Sequence, residues 1–270
     1  THAAQQLLRG SVVDELPMVW TRILVPFESN FTPNDVYKGA LLFCLENLKA
    51  GTTTFADAGG PFMDMVARAA LETGIREGTP VVNGSSDNSA SALGAGMAKS
   101  GQVTLIIGTA GVITVCSDRP LLDPDGRTLC WHYCLRDHWV TLGITQTAGE
   151  SLQWFKNAFD PVEDAQTGSG DIFNRYNQAV AEVPDGSGGV IFLPYLNGER
   201  TPYWDPAARG VFFGLNLATQ KAHFIKAIME GVSFALRNNI ETVEALGIEI
   251  REVRAVGGGL KSPVLVQTLG

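Results

Sequence analysis

The chain carries an aspartate among residues too small to shield it. In Asn83-Gly84-Ser85-Ser86-Asp87-Asn88-Ser89 the acid follows the short apolar stretch Thr79–Asn83. A carboxylate so placed can take a proton from a substrate hydroxyl, and it also suits a turn residue capping a following helix. Gly108-Thr109-Ala110-Gly111 lies between two apolar runs. There Gly108 and Gly111 would let backbone N–H groups reach phosphate oxygens, with the Thr109 hydroxyl as a further donor, or simply close a hairpin. Gly257-Gly258-Gly259 follows a strand-like run and precedes Ser262-Pro263, a helix start. A nucleotide can lie across such bare backbone beside a helix N-terminus, and a tight strand-to-helix connection is the alternative. The run matches neither G-x-G-x-x-G nor G-x-x-x-x-G-K-[ST]. Cys130, His132 and Cys134 alternate along one side of an expected strand, but a fourth ligand and zinc-type spacing are lacking. His2 stands alone as a metal ligand.

The elements that must position these residues change character along the chain. Asn34–Ala50 has a helical period after Thr32-Pro33 and ends at Gly51, and Thr52–Phe55 reads as a short buried strand. Phe62–Glu72 is a second amphipathic helix closed by Gly74. Thr79–Asn83 is expected to be a strand entering the small-residue loop Gly84–Ser91. Val103–Ile107 and Val112–Cys116 are strands flanking the Gly108–Gly111 turn. Leu129–Tyr133 and Trp139–Thr145 form another hairpin, followed by the helix Glu150–Phe159 and the polar surface loop Asp160–Gly170. Val190–Pro194 is a strand leading into a long Gly-, Pro- and Arg-rich loop. Thr219–Leu246 is the strongest helix, with Phe224, Ile225, Ile228, Met229, Val232, Leu236, Ile240 and Val243 on one face and Gly247 as its stop. The strand Glu252–Val256 runs into the triple glycine.

Composition limits what this arrangement can serve. Of 270 residues, 45% are hydrophobic and 18% charged, enough for a sizeable core and unlike a disordered or coiled-coil chain. The net charge of −8, without a basic run, argues against nucleic acid and anionic membranes as partners. Four cysteines make no disulfide framework, and Thr1–Arg9 has no signal-peptide pattern. A cytoplasmic protein is expected.

Residues 77–270 resemble the FGGY family of carbohydrate kinases, in particular its xylulokinase-like branch. The resemblance rests on EGTPVVNGSSDN (77–88), LIIGTAG (105–111) and TAGESLQW (147–154), then on LPYLNGERTPYWDPAARGVFFGL (193–215) and VGGGLKSP (256–263), with Gly210–Glu230 fitting the C-terminal motif. It implies an α/β fold, an actin-like ATPase (ribonuclease-H-like) domain, using ATP and Mg²⁺. It further implies that Asp87 is the base for the sugar hydroxyl with Asn88 beside the sugar. Thr109 would hold phosphate oxygens and Gly149 would line the nucleotide site at a helix start. Gly258 and Ser262 would lie against the adenosine, with the Gly257–Gly259 turn touching the nucleotide. Where the family usually has Gly-Gly, this chain has Ser85-Ser86, which narrows the approach to Asp87.

Residues 1–76 resemble metal-dependent amidohydrolases instead, through Thr1-His2-Ala3-Ala4, Leu7-Leu8-Arg9-Gly10, Pro33–Tyr37 and KAGTTTFAD (49–57). That family pairs two histidines on its first barrel strand, whereas here only His2 is present, and 76 residues are too few for a (β/α)₈ barrel. The expectation is therefore two parts. Residues 1–76 would be an α/β segment resembling part of a TIM-barrel amidohydrolase, and residues 77–270 the ATP-binding part of a sugar kinase without its first lobe or last helices. The reading is ATP-dependent phosphorylation of a xylulose-like ketose, impaired by the missing lobe. A non-catalytic nucleotide-binding fragment and a metal-dependent hydrolase are the alternatives. The expected partners are a small sugar and ATP, with room for a homo-oligomer.

Overall fold

A computed structural model of the chain describes residues 3–8, 23–55, 57, 59–79, 86–160 and 169–269. It divides into two compact units, Thr1–Ser86 and Asp87–Gly270.

In the first unit a 3₁₀ turn, Ala3–Leu8, precedes α1 (Val25–Ser29), α2 (Pro33–Lys49) and α3 (Met63–Glu72). The start of α2 is dictated locally. Thr32 Oγ1 accepts from the Asp35 N–H at 3.3 Å, the Asp35 carboxylate accepts from the Thr32 N–H at 2.9 Å, and Pro33 supplies a ready-made helical φ. Val36, Ala40, Phe43 and Cys44 of α2 bury against Val66, Ala69 and Ala70 of α3 and against Ala3. The strand expected at Thr52–Phe55 does not form. The described residues of this unit contain no strand to pair with it, so its backbone has no ladder to join, and Phe55 packs edge-on against Phe43 instead. His2 lies outside the described residues, as do Pro80–Asn83 of the next expected strand and Gly84–Ser85 of the loop after it.

The second unit is built on a five-stranded mixed sheet. Its strands are β1 (Gln102–Ile107), β2 (Gly111–Ser117), β3 (Leu129–His132), β4 (Trp139–Thr145) and, later in the chain, β7 (Glu252–Val256), in the order β3-β4-β2-β1-β7. A short turn makes β1 and β2 antiparallel neighbours, the β3–β4 hairpin lays β4 antiparallel against β2, and β7 arrives after a helical crossover and lies parallel to β1, with Ile106 opposite Val256. One face carries Val103, Leu105, Ile107, Ile113 and Val115 into the main core with α5 (Gly149–Phe159), α6 (Ser169–Ala181) and α7 (Lys221–Glu244). The other face carries Cys116, Val140 and Leu142 against Ala92 and Met97, from α4 (Asp87–Gly94) and the turn after it. On α7, Ile225, Ile228, Met229, Val232 and Leu236 are buried together, as their helical spacing predicts.

Several local expectations are corrected. Part of the small-residue loop is helix, because Asp87-Asn88-Ser89 opens α4. The loop expected at Asp160–Gly170 is in part the start of α6, and Asp160 is buried between the Tyr176 hydroxyl and the Lys221 ammonium; residues 161–168 lie outside the described set. The long loop after Pro194 contains β6 (Val211–Phe213), which pairs antiparallel with β5 (Ile191–Leu193). Its aromatic residues gain a partner only when the chain returns.

Candidate functional site

Three backbone segments meet where β1 ends. The turn Gly108–Gly111 links β1 to β2, α5 begins at Gly149 beside it, and the Gly257–Gly259 run leaves β7 next to Ile107. Gly108 O accepts the Gly149 N–H at 2.9 Å, and Thr109 O accepts the Ala148 and Glu150 N–H groups at 2.8 and 3.2 Å. This closeness depends on missing side chains. A Cβ on Gly149 would lie 2.6 Å from Gly108 O, and one on Gly257 would lie 2.5 Å from Ile107 O. Gly257 also has φ 112°, a region that residues with a Cβ rarely enter. Gly111 is pressed by Leu236 of α7, and Gly259 by the Ile107 side chain.

The structure therefore brings Gly108, Thr109, Gly111, Gly149, Gly257 and Gly259 to one end of the sheet. Gly108, Thr109, Gly257 and Gly258 are exposed there, and a Cβ on Gly258 would meet nothing within 4 Å. Open space over bare backbone fits a flat ligand carrying phosphates. Ser262 works locally: its Oγ accepts the Leu265 N–H at 3.2 Å as N-cap of α8 (Pro263–Leu269) and donates to Asn177 Oδ1 at 2.6 Å.

Asp87 and Asn88 sit elsewhere on the sheet. Asp87 is exposed at the first position of α4, and its Oδ1 accepts the Asn88 N–H at 2.8 Å. Two residues on, Ser89 is buried and meets Trp131 Nε1 at 3.4 Å. Trp131 stands in the strand row of Val140 and Cys116, five residues along β2 from Gly111, which is about 17 Å. The exposed carboxylate and the glycine turns are thus held by different parts of one sheet.

Cys130 is half-buried, His132 is exposed with its ring tilted against that of Trp139 at 5.2 Å, and Cys134 lies beyond the end of β3. Among the described residues no group of His, Cys, Asp or Glu is arranged to hold a metal. Burial, helped by neighbouring Asp118, pushes the Cys116 thiol up to about 11, so it stays protonated and behaves as core.

One group at this end of the sheet escaped the sequence reading. Glu199 is 1% exposed, and burial raises its carboxyl to about 7 although two backbone N–H groups favour its ionised form. Arg200 beside it is held below the usual guanidinium range by burial. The Glu-Arg pair was visible in the motif, but nothing local distinguishes a buried pair from a solvated one.

Residues 103–270 match the FGGY family of carbohydrate kinases, C-terminal domain. The xylulose kinase of Bacillus subtilis (strain 168) is 36% identical over 203 residues, 75% of this chain and 39% of that protein. The gluconokinase of the same strain is 36% identical over 204 residues, 74% of this chain and 39% of that protein. The crystal structure of xylulose kinase from Rhodospirillum rubrum superposes with a TM-score of 0.64 at 31% identity, covering 75% of this chain and 39% of that one. The chain thus spans 39% of the length of these relatives.

Proposed function

The chain belongs to the FGGY family of carbohydrate kinases, and from that membership we propose that it carries the ATP-binding part of an enzyme that phosphorylates a sugar hydroxyl. The Asp87–Gly270 unit has the actin-like α/β fold of these kinases. The proposed substrate is a xylulose-like ketose, with gluconate as the competing acceptor, since relatives of both names share 36% identity with this chain. The observation that carries the reading is the meeting of Gly108, Gly111, Gly149, Gly257 and Gly259 at the end of β1, with Gly258 open above them.

In this reading the nucleotide lies across the Gly257–Gly259 turn, with Gly258 and Ser262 toward its adenosine. The phosphates reach Thr109 and the backbone of Gly108, Gly111 and Gly149. ATP supplies the phosphoryl group, and Mg²⁺, which travels with phosphates and keeps most of its waters, supplies charge neutralisation. The protein's own work is positioning. Asp87 accepts the sugar hydroxyl proton, and Asn88 fixes the sugar beside it. The family's loose transition state asks little basicity of the acceptor, so an exposed carboxylate suffices. A cytoplasmic setting accompanies the ATP dependence, and among the described residues no helix is long and apolar enough to cross a membrane.

A second reading is a non-catalytic nucleotide-binding part, favoured by the separation of Asp87 from the glycine turns across the sheet. Titration with Mg-ATP and a coupled ADP assay with xylulose and gluconate separate the two. The kinase reading expects nucleotide binding and sugar-dependent ADP release. Asp87→Asn should then lower ADP release by about 10²–10⁴ while nucleotide affinity stays within about threefold. Binding without release leaves the non-catalytic reading, and turnover at the parent rate in Asp87→Asn returns that residue to a helix-start role.

A further inference from the structure

The end of β4 and the link to α5 are tied down residue by residue. Ile144 O accepts the Thr201 N–H at 3.0 Å, Thr145 Oγ1 accepts from Asn239 Nδ2 of α7 at 2.7 Å, and the Thr147 hydroxyl donates to Pro194 O. Gln146 is held differently, by a side chain: its N–H donates to Glu199 Oε1 at 2.8 Å. The same oxygen accepts the Arg200 N–H at 2.7 Å, while Oε2 is buried with no hydrogen-bond partner among the described residues. Three residues after Gln146 the Gly149 N–H meets Gly108 O, so any shift of Gln146 moves the start of α5 against the Gly108–Gly111 turn.

We infer that Glu199 is a positioning residue of the nucleotide site, its Oε1 holding the Gln146 N–H so that Gly149 stays seated on Gly108. The role rests on the nucleotide reading of that site, but its structural half does not. A buried carboxyl in the loop after Pro194 is an expensive way to anchor a loop, because desolvation opposes its ionised form. It repays this cost only if its two accepted N–H bonds hold main chain that must not move. The loop and α5 are far apart in sequence, so a covalent neighbour cannot do the same.

The test follows amide hydrogen exchange at Gln146 and Gly149, with Leu105 in β1 as the internal reference, together with the dissociation constant for Mg-ADP. Glu199→Ala removes the acceptor, Glu199→Asp withdraws it by one methylene while keeping the charge, and Glu199→Gln keeps an oxygen in its place. Glu199→Ala and Glu199→Asp should each speed exchange at Gln146 and Gly149 about tenfold relative to Leu105, the size of one lost buried hydrogen bond. They should weaken Mg-ADP binding by a similar factor, and Glu199→Gln should restore both. Should Glu199→Ala not fold, Glu199→Asp decides alone. Exchange rising equally at Leu105 would mean general destabilisation and would overturn the inference, as would unchanged exchange at Gln146. If the parent chain binds no Mg-ADP, the nucleotide reading falls, while the exchange measurement still decides whether Glu199 seats Gly149.

Discussion

Asp87 and Glu199 show two opposite ways in which a carboxylate can be used. Asp87 is exposed at a helix start, where backbone N–H groups face an acceptor, and water reaches it freely. Glu199 is out of water, and burial outweighs the two N–H bonds it accepts, leaving its carboxyl near 7. The sign of the resulting pH dependence follows. A folded value of about 7 lies above the ordinary glutamate range, so the folded state binds this proton more tightly than the unfolded chain. The stabilisation it brings is complete below about pH 4 and is lost as pH rises through 7, with a total on the order of 3 kcal/mol. Urea unfolding at pH 5 and pH 8 should therefore show the parent losing stability that Glu199→Gln keeps. Parallel losses in the two proteins would mean that Glu199 does not titrate across this range.

At the scale of elements, the site depends on how closely bare backbones approach one another. β1 and β7 are parallel and in register, so their carboxyl ends open on the same side of the sheet, the side on which α/β proteins bind ligands. Gly149 is a joint of backbone on backbone, since the first turn of α5 rests directly on Gly108. A methyl group there meets backbone that cannot rotate away. Gly149→Ala should cost about 1–3 kcal/mol of stability, and it should weaken nucleotide binding more than an equally destabilising core change does, Met97→Leu for instance. Calorimetric melting and Mg-ADP titration of both variants check this. Equal affinities at matched stability would show that the fit at Gly149 serves packing alone.

For the whole molecule, the chain divides at Ser86 into two units with separate cores. The first unit buries a small core between α2 and α3, and its helices leave Leu42, Leu45, Leu48 and Leu71 exposed. The second unit buries a continuous core under the sheet and a further cluster over its other face. Cores that share no residue unfold independently unless an interface couples them. Denaturant titration followed by peptide-resolved hydrogen exchange should show residues 23–79 opening first, at lower denaturant, and residues 102–256 opening together later. One coincident transition would mean that the units are thermodynamically coupled.

Much of this was legible in the residues themselves. Helical period and capping chemistry placed α2, α3 and α7, Gly108 and Gly111 marked the β1–β2 turn, and Ser262-Pro263 marked the start of α8, because each depends on neighbours a few positions away. The family motifs added the order in which the glycine segments occur. Other features belong to contacts between distant parts of the chain. Thr52–Phe55 has strand-forming residues but no described strand beside it in its unit, whereas Val211–Phe213 became a strand because Ile191–Leu193 came alongside. Asp160 was polar by sequence and became buried when Tyr176 and Lys221 closed over it. The protonation behaviour of Glu199 was decided in the same way. A residue type states what a group can do locally, but burial and hydrogen bonding to Gln146, 53 positions away, exist only once the chain has folded.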